Sequence, residues 1–182
     1  MNIYEPISCD DYELCHPIDP DDFETINVQI NGESREADWI PISVRLIRED
    51  EGRKLLPSDS PWLGEHALIF KSQAIDALGP LLREYGELLP LLYNNAQLVV
   101  FNPTRVVDAL DEEASSVLRF NSGRIMQVNR YVFYPGPIRG GHVFKIPNFR
   151  VSPTFVSQDF VDRWNVAGLK GLEFEPVWSE AE

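Results

Sequence analysis

The sequence predicts an α+β fold, a mainly antiparallel sheet with two principal helices, at about 72–85 and 157–167, packed on it in a single domain. Three observations carry this expectation. Ile75, Leu78, Leu82 and Tyr85 recur at three- and four-residue steps, which is one face of a helix that starts near Ser72 and stops at Gly86. Phe160, Trp164 and Ala167 make a second, shorter face after Ser157, closed by Gly168. The predicted strands come in runs instead of alternating strictly with helices, which favours α+β over a wound βαβ layout.

Taken in order, residues 1–24 mix acids with Tyr4, Tyr12, Leu14, Phe23 and three prolines. That composition suits an ordered arm laid on the body, because the aromatic side chains need cover. Residues 25–30 (TINVQI) alternate Ile26, Val28 and Ile30 with polar neighbours before Asn31-Gly32, which predicts a strand entering a hairpin. The division that follows is an acidic N-terminal arm with a first strand, 1–38, and an α+β body, 39–182, within one compact unit. In the body, residues 39–46 (WIPISVRL) are strand-like with Pro41 near an edge, and 49–62 form a charged, Pro- and Ser-containing loop. After the first helix, residues 97–101 (QLVVF) predict a buried strand ended by Asn102-Pro103. Residues 117–120 and 124–134, joined by Asn121-Ser122-Gly123, predict a β-hairpin that Pro135-Gly136-Pro137 terminates. Residues 142–146 and 172–177 complete the strands. An internal echo runs through the chain: Phe70-Lys71-Ser72-Gln73, helix, Gly86, strand returns as Phe155-Val156-Ser157-Gln158, helix, Gly168, strand. Either one structural unit is used twice, or Ser caps and Gly stops have converged.

At 182 residues with a hydrophobic fraction of 43% the chain can bury a proper core. No apolar run approaches the ~20 residues that span a bilayer. The acidic first residues carry neither a basic n-region nor an apolar h-region, so a cytoplasmic location is expected. The formal charge of −13 disfavours nonspecific nucleic-acid binding by the whole molecule. Its distribution is uneven. Residues 1–38 hold eleven acids against the single base Arg35, a net −10, whereas residues 114–150 have no acid and carry Arg119, Arg124, Arg130, Arg139, Lys145 and Arg150.

Candidate chemistry is sparse. Cys9, Cys15 and His16 could supply three metal ligands, but their spacing fits no common zinc pattern, and two free thiols are the plainer reading. His66 and His142 have no sequence pattern of a catalytic triad, and no G-x-S-x-G elbow exists. Asp108, Asp111, Glu112 and Glu113 could act as paired carboxylates, yet without spaced partners they describe a solvated face. The glycines of residues 136–141 lack the Lys-Ser/Thr ending of a phosphate-binding loop. The strongest rival signal is the basic segment 119–150, where Tyr131, Phe133, Tyr134, Phe144 and Phe149 could make a stacking platform for single-stranded nucleic acid. A small enzyme of unrecognised class is the other alternative.

Several short motifs then occur in a recognisable order: Ser72-Gln73-Ala74-Ile75-Asp76-Ala77-Leu78, Tyr85-Gly86-Glu87-Leu88-Leu89-Pro90-Leu91, Phe101-Asn102, Val106-Val107-Asp108-Ala109-Leu110-Asp111, Phe144-Lys145-Ile146-Pro147, and Gly168-Leu169-Lys170-Gly171-Leu172-Glu173-Phe174-Glu175-Pro176-Val177-Trp178. Over about residues 68–178 the chain resembles the eleventh family of bacterial immunity proteins, found beside polymorphic toxins. The resemblance implies a cytoplasmic protein that binds and neutralises a cognate toxin delivered by type VI or contact-dependent secretion, without cofactor, metal or catalytic residues. The concentrated acids of the arm, Asp10, Asp11, Asp19, Asp21, Asp22 and Glu24, are then the expected toxin-facing residues. They suit a basic, nuclease-like toxin domain. The competing expectation is that the arm folds back on residues 119–150 as an internal clamp.

Overall fold

The computed structural model describes residues 1–94, 96–149 and 151–180. The chain runs through β1 (Asn2–Ser8), β2 (Leu14–Pro17), α1 (Asp22–Gln29), β3 (Val44–Ile47), the small hairpin β4 (Glu49–Asp50) and β5 (Arg53–Lys54), and β6 (Ile69–Lys71). It continues with α2 (Ser72–Tyr85), β7 (Gly86–Pro90), β8 (Leu98–Pro103), β9 (Ser116–Arg119) and β10 (Ile125–Arg130). The one-turn α3 (Pro135–Ile138), β11 (Val143–Phe144), β12 (Phe155–Ser157), α4 (Gln158–Val166) and β13 (Leu172–Ser179) follow. The strand ladders are antiparallel, so the α+β class stands.

Two units of the same topology organise these elements. In the first, β6, α2 and β7 form a strand–helix–strand segment whose two strands do not pair with each other; β8 lies between them, antiparallel to both. In the second, β12, α4 and β13 repeat the arrangement, and the strand inserted between them is β1, with β11 added outside β12. The echo read from the sequence therefore corresponds to a repeated supersecondary unit.

The helices sit where the two units meet. Leu78, Leu81, Leu82 and Tyr85 of α2 share one core with Phe160, Val161 and Trp164 of α4, with Phe70, Val99 and Phe101 from the first sheet, and with Val143, Val156 and Leu172 from the second. Alternate strand residues face the other way, as a period of two requires. Ile69, Leu89, Leu98 and Val100 meet Cys15, Ile26, Ile30 and Val44 in a second core. Ile3, Phe144 and Phe155 meet Ile125, Val128 and Phe133 in a third. Each sheet is thus covered on both faces, which is why β8 is an unbroken run of buried residues.

Several expectations are corrected. Residues 1–24 are no simple arm: β1 is an interior strand with Ile3 fully buried, and β2 pairs with β3. Residues 25–30 lie in a helix and its cap, because Ile26 and Ile30 are four apart as well as alternating. Both are buried, and Val28 is exposed, which a strand face shared with Ile26 would not allow. The strand predicted at 39–46 is confined to β3, and the predicted loop at 49–62 contains the β4–β5 hairpin. Asn102-Pro103 does not break the ladder; both residues pair with β7, Pro103 serving as the last residue of its strand. Ser72 is the first helical residue of α2, whose N-cap is Lys71 with no side-chain cap bond. Ser157 caps α4 as expected, its Oγ accepting the Phe160 N–H. The hairpin β9–β10 ends at Arg130, and Pro135-Gly136-Pro137 nucleates α3.

Candidate functional site

The six acids expected to face a partner fall into two groups at opposite ends of β2. Asp10 and Asp11 occupy the β1–β2 turn, where the Arg53 guanidinium donates to the Asp10 carbonyl at 2.8 Å and to Asp11 Oδ1 at 3.2 Å. Asp19, Asp21, Asp22 and Glu24 gather around the start of α1, three of them exposed and Asp22 half-buried. Among the described residues no ion pair engages Asp19, Asp21 or Asp22. Acids in the first turn of a helix sit in the favourable field of its N-terminus, so this charge does not oppose the fold that carries it.

The charged loop after α1 is fixed from beneath. Buried Asn102 donates to the Glu33 carbonyl at 2.8 Å and to Glu87 Oε2 at 3.1 Å, while the Gly32 N–H donates to its Oδ1. Glu87 also accepts from Ser34 Oγ and from the Arg35 N–H. Burial alone would raise the Glu87 pKa, but these donors outweigh it and hold the carboxyl below its usual range. The fully buried acid of the acidic segment 1–38, Glu13, is a clamp. It accepts from Arg48 Nε at 2.9 Å, the Ser58 N–H at 3.0 Å and Lys71 Nζ, tying β2 to β6 and to the segment leading into the β4–β5 hairpin. Here too burial raises the pKa and the donors more than reverse it.

The basic segment is largely consumed within the molecule. Arg119 pairs with Glu112 and donates to the Gly123 carbonyl, Arg130 donates to the Ala114 carbonyl, and Arg139 pairs with Glu180 at 2.6 Å. Lys145 is fully buried, its Nζ donating to the His66 and Ser152 carbonyls at 2.8 and 2.9 Å, and burial pushes its amine down to about 7. Phe133 and Phe144 are buried in an aromatic cluster with Phe155 and Trp178, so they offer no exposed face on which a base could stack. Of the six acids, Glu24 alone lines the cleft of about 300 Å³ that Arg124 also lines, so a clamp onto this segment would engage one member of the set. Arg150, the last base of the run, lies outside the described residues.

Two constellations invisible in the sequence emerge. Ser157 Oγ lies 3.0 Å from His142 Nδ1, and Asp159 Oδ2 lies 3.6 Å from the same nitrogen. A triad needs the base to contact nucleophile and orienting acid through different ring nitrogens. Here both approach Nδ1, Ser157 Oγ is committed to the α4 cap, and Asp159 is paired with Arg163 at 2.7 Å. The second is Glu5 of β1 beside Glu65, lining a cleft of about 430 Å³ with Tyr131 and Met126. Burial, then the Glu65 carboxylate and its hydrogen bond, then Glu175 push the Glu5 carboxyl up to about 8. A spacing of sixty residues gave no sign of this pair.

Cys15 is buried in the second core and Cys9 lies near the β1–β2 turn, both as free thiols. His16, next along β2, points away from Cys15 and meets the ring of Phe23 edge-on. Among the described residues no group of three metal-ligating side chains converges. Nor is any helix among them long and apolar enough to cross a membrane.

Residues 95–179 match the model described as the immunity protein family Imm11. This is the family that the sequence motifs resemble. The matched segment runs from just before β8 to the end of β13, so it includes the motifs from Phe101 onward and leaves β6, α2 and β7 outside. No curated protein matches the chain.

Proposed function

We propose that this protein is an immunity protein, which binds and neutralises a cognate bacterial toxin delivered by type VI or contact-dependent secretion. The observation that carries the proposal is the match of residues 95–179 to Imm11. Protection by occupation of the toxin, not by turnover, is the mode that fits the chain's chemistry. The Ser157–His142–Asp159 cluster is built as a helix cap, and the fully buried carboxylate of Glu13 is spent on a structural clamp. The protein acts in the cytoplasm, where an incoming toxin reaches its target.

The acids Asp10, Asp11, Asp19, Asp21, Asp22 and Glu24 provide the toxin-facing field in this reading, and a toxin acting on nucleic acid is its natural object. Such a toxin carries a basic surface for phosphates, and a negative face attracts it and occupies those positions. The test is expression of the adjacent gene with and without this one. Growth should be lost in its absence and restored in its presence, and the purified products should form a stable 1:1 complex. Protection that persists at far below stoichiometric amounts, with a chemically altered toxin, would show an enzyme instead.

A further inference from the structure

The acidic end of β2 borders a trough that is apolar where Ile18 and Ile40 line it and more polar where it runs on past Ser43. One cleft of about 430 Å³ is lined by Ile18, Asp19, Asp22 and Ile40, and a second of about 570 Å³ by Ile18, Leu92 and the backbone approach to β3. They share Ile18 and Ser43 and so adjoin. Ile40 is 80% exposed, Ile18 60% and Leu92 55%. Single exposed apolar side chains are ordinary, but Ile18 and Ile40 open onto one cleft with the Asp19 and Asp22 carboxylates on its rim, and Ile18 also opens onto the adjoining cleft with Leu92, the arrangement of a docking surface with an apolar centre and a polar border. No basic side chain among the described residues lines either cleft. The walls are firm: the Ile18 N–H donates to the Ser43 carbonyl at 2.9 Å, and Leu92 exchanges backbone bonds with Ile42 and Val44 at 2.9 and 3.0 Å.

We infer that this trough, formed by Ile18, Ile40 and Leu92 and edged by Asp19 and Asp22, is the surface that receives the toxin. Its occupant is a protein segment carrying an apolar side chain flanked by Lys or Arg. The inference rests on the immunity reading and narrows it. Of the six acids it selects Asp19 and Asp22, which the ion pairs among the described residues leave unengaged, and sets aside Asp11, which Arg53 already holds. Charge complementarity chooses the occupant, since an uncharged apolar segment would gain nothing from carboxylates at the border and an acidic one would be repelled.

The experiment measures binding of the adjacent gene's product to the intact protein and to three variants by surface-immobilised kinetics at several salt concentrations. Ile18→Ala with Ile40→Ala should weaken binding at least tenfold, mainly through faster dissociation. Asp19→Asn with Asp22→Asn should slow association several-fold at low salt and flatten its salt dependence. Val166→Glu, at a position on α4 that is 90% exposed, should bind as the parent does. Ile18, Asp19 and Ile40 are exposed and Asp22 is half-buried, and thermal melts matching the parent's establish that the variants fold. If the parent binds and both trough variants bind equally well, the toxin docks elsewhere and this inference fails while the immunity reading stands. If the parent itself forms no complex, the reading and the inference fall together.

Discussion

The two strand–helix–strand units share a topology and differ in where their third strand comes from. The first finds β8 eight residues after β7 ends, so residues 69–103 complete themselves. The second borrows β1, whose partners Phe155–Ser157 and Leu172–Ser179 lie about 150 to 175 residues further along. The centres of the sheets differ as well. β8 carries no charged residue, whereas β1 carries Glu5 opposite Glu175. One motif can therefore be built from local or from distant chain, and the distant version brings ionisable groups into its middle.

The sharpest way to break the comparison is to remove the borrowed strand. Deletion of residues 1–8 should abolish cooperative unfolding, because it strips the interior strand from one sheet and opens the third core around Ile3. A circular-dichroism melt that kept a single sharp transition would show that the second unit stands without it. Next in size is the seam between the units. Trp164→Ala should cost about 3–5 kcal/mol and Leu82→Ala about 2–5 kcal/mol by lost transfer energy plus cavity, both residues being almost fully buried in the core that α2 and α4 share. Unchanged denaturant midpoints would mean that the helices do not weld the units together.

A smaller effect separates the two sheet centres. Glu5 titrates near pH 8 when folded against an ordinary value near 4.5, so between these values the folded state holds a proton that the unfolded state releases. Its contribution is fully present below about pH 4.5 and is lost as pH rises through about 8. Glu5→Gln should therefore gain in Tm relative to the parent as pH goes from 5 to 8. Parallel pH profiles for the two proteins would show that Glu5 is already ionised in the folded state. The smallest contrast lies at the helix starts: Ser157→Ala should cost about 1 kcal/mol, whereas Ser72→Ala should change stability by only a few tenths of a kcal/mol. Equal losses in urea titration would mean that the caps do not distinguish the units.

The same asymmetry decides what the sequence revealed. The first unit was legible because its signals are local: Ile75, Leu78 and Leu82 repeat at helical spacing, Gly86 stops the run, and LVVF is plainly apolar. β1 was not, since NIYEPIS holds an acid and a proline, and its partners announce themselves only at the other end of the chain. Residues 25–30 failed for a different reason, because Ile26 and Ile30 satisfy a period of two and of four alike, and only burial distinguishes them. The acids of the candidate face were legible by composition, but not that Arg53 engages Asp11 or that Ile18, Ile40 and Leu92 converge beside Asp19. Those relations are set by the pairing of β2 with β3 and of residue 43 with residue 92, long-range registers that no local pattern encodes.

The borrowed strand also imposes a timetable. During synthesis at about 5–20 residues per second, β1 leaves the ribosome roughly 10 to 30 s before β13 exists to receive it. The first unit can close in that interval, and β1 must wait with both edges open. Its composition suits the wait: Glu5 and Pro6 interrupt an otherwise strand-forming segment, and such residues discourage pairing with stray chains. The carboxyl that takes up a proton in the finished sheet is thus a charged gatekeeper while the nascent chain is incomplete.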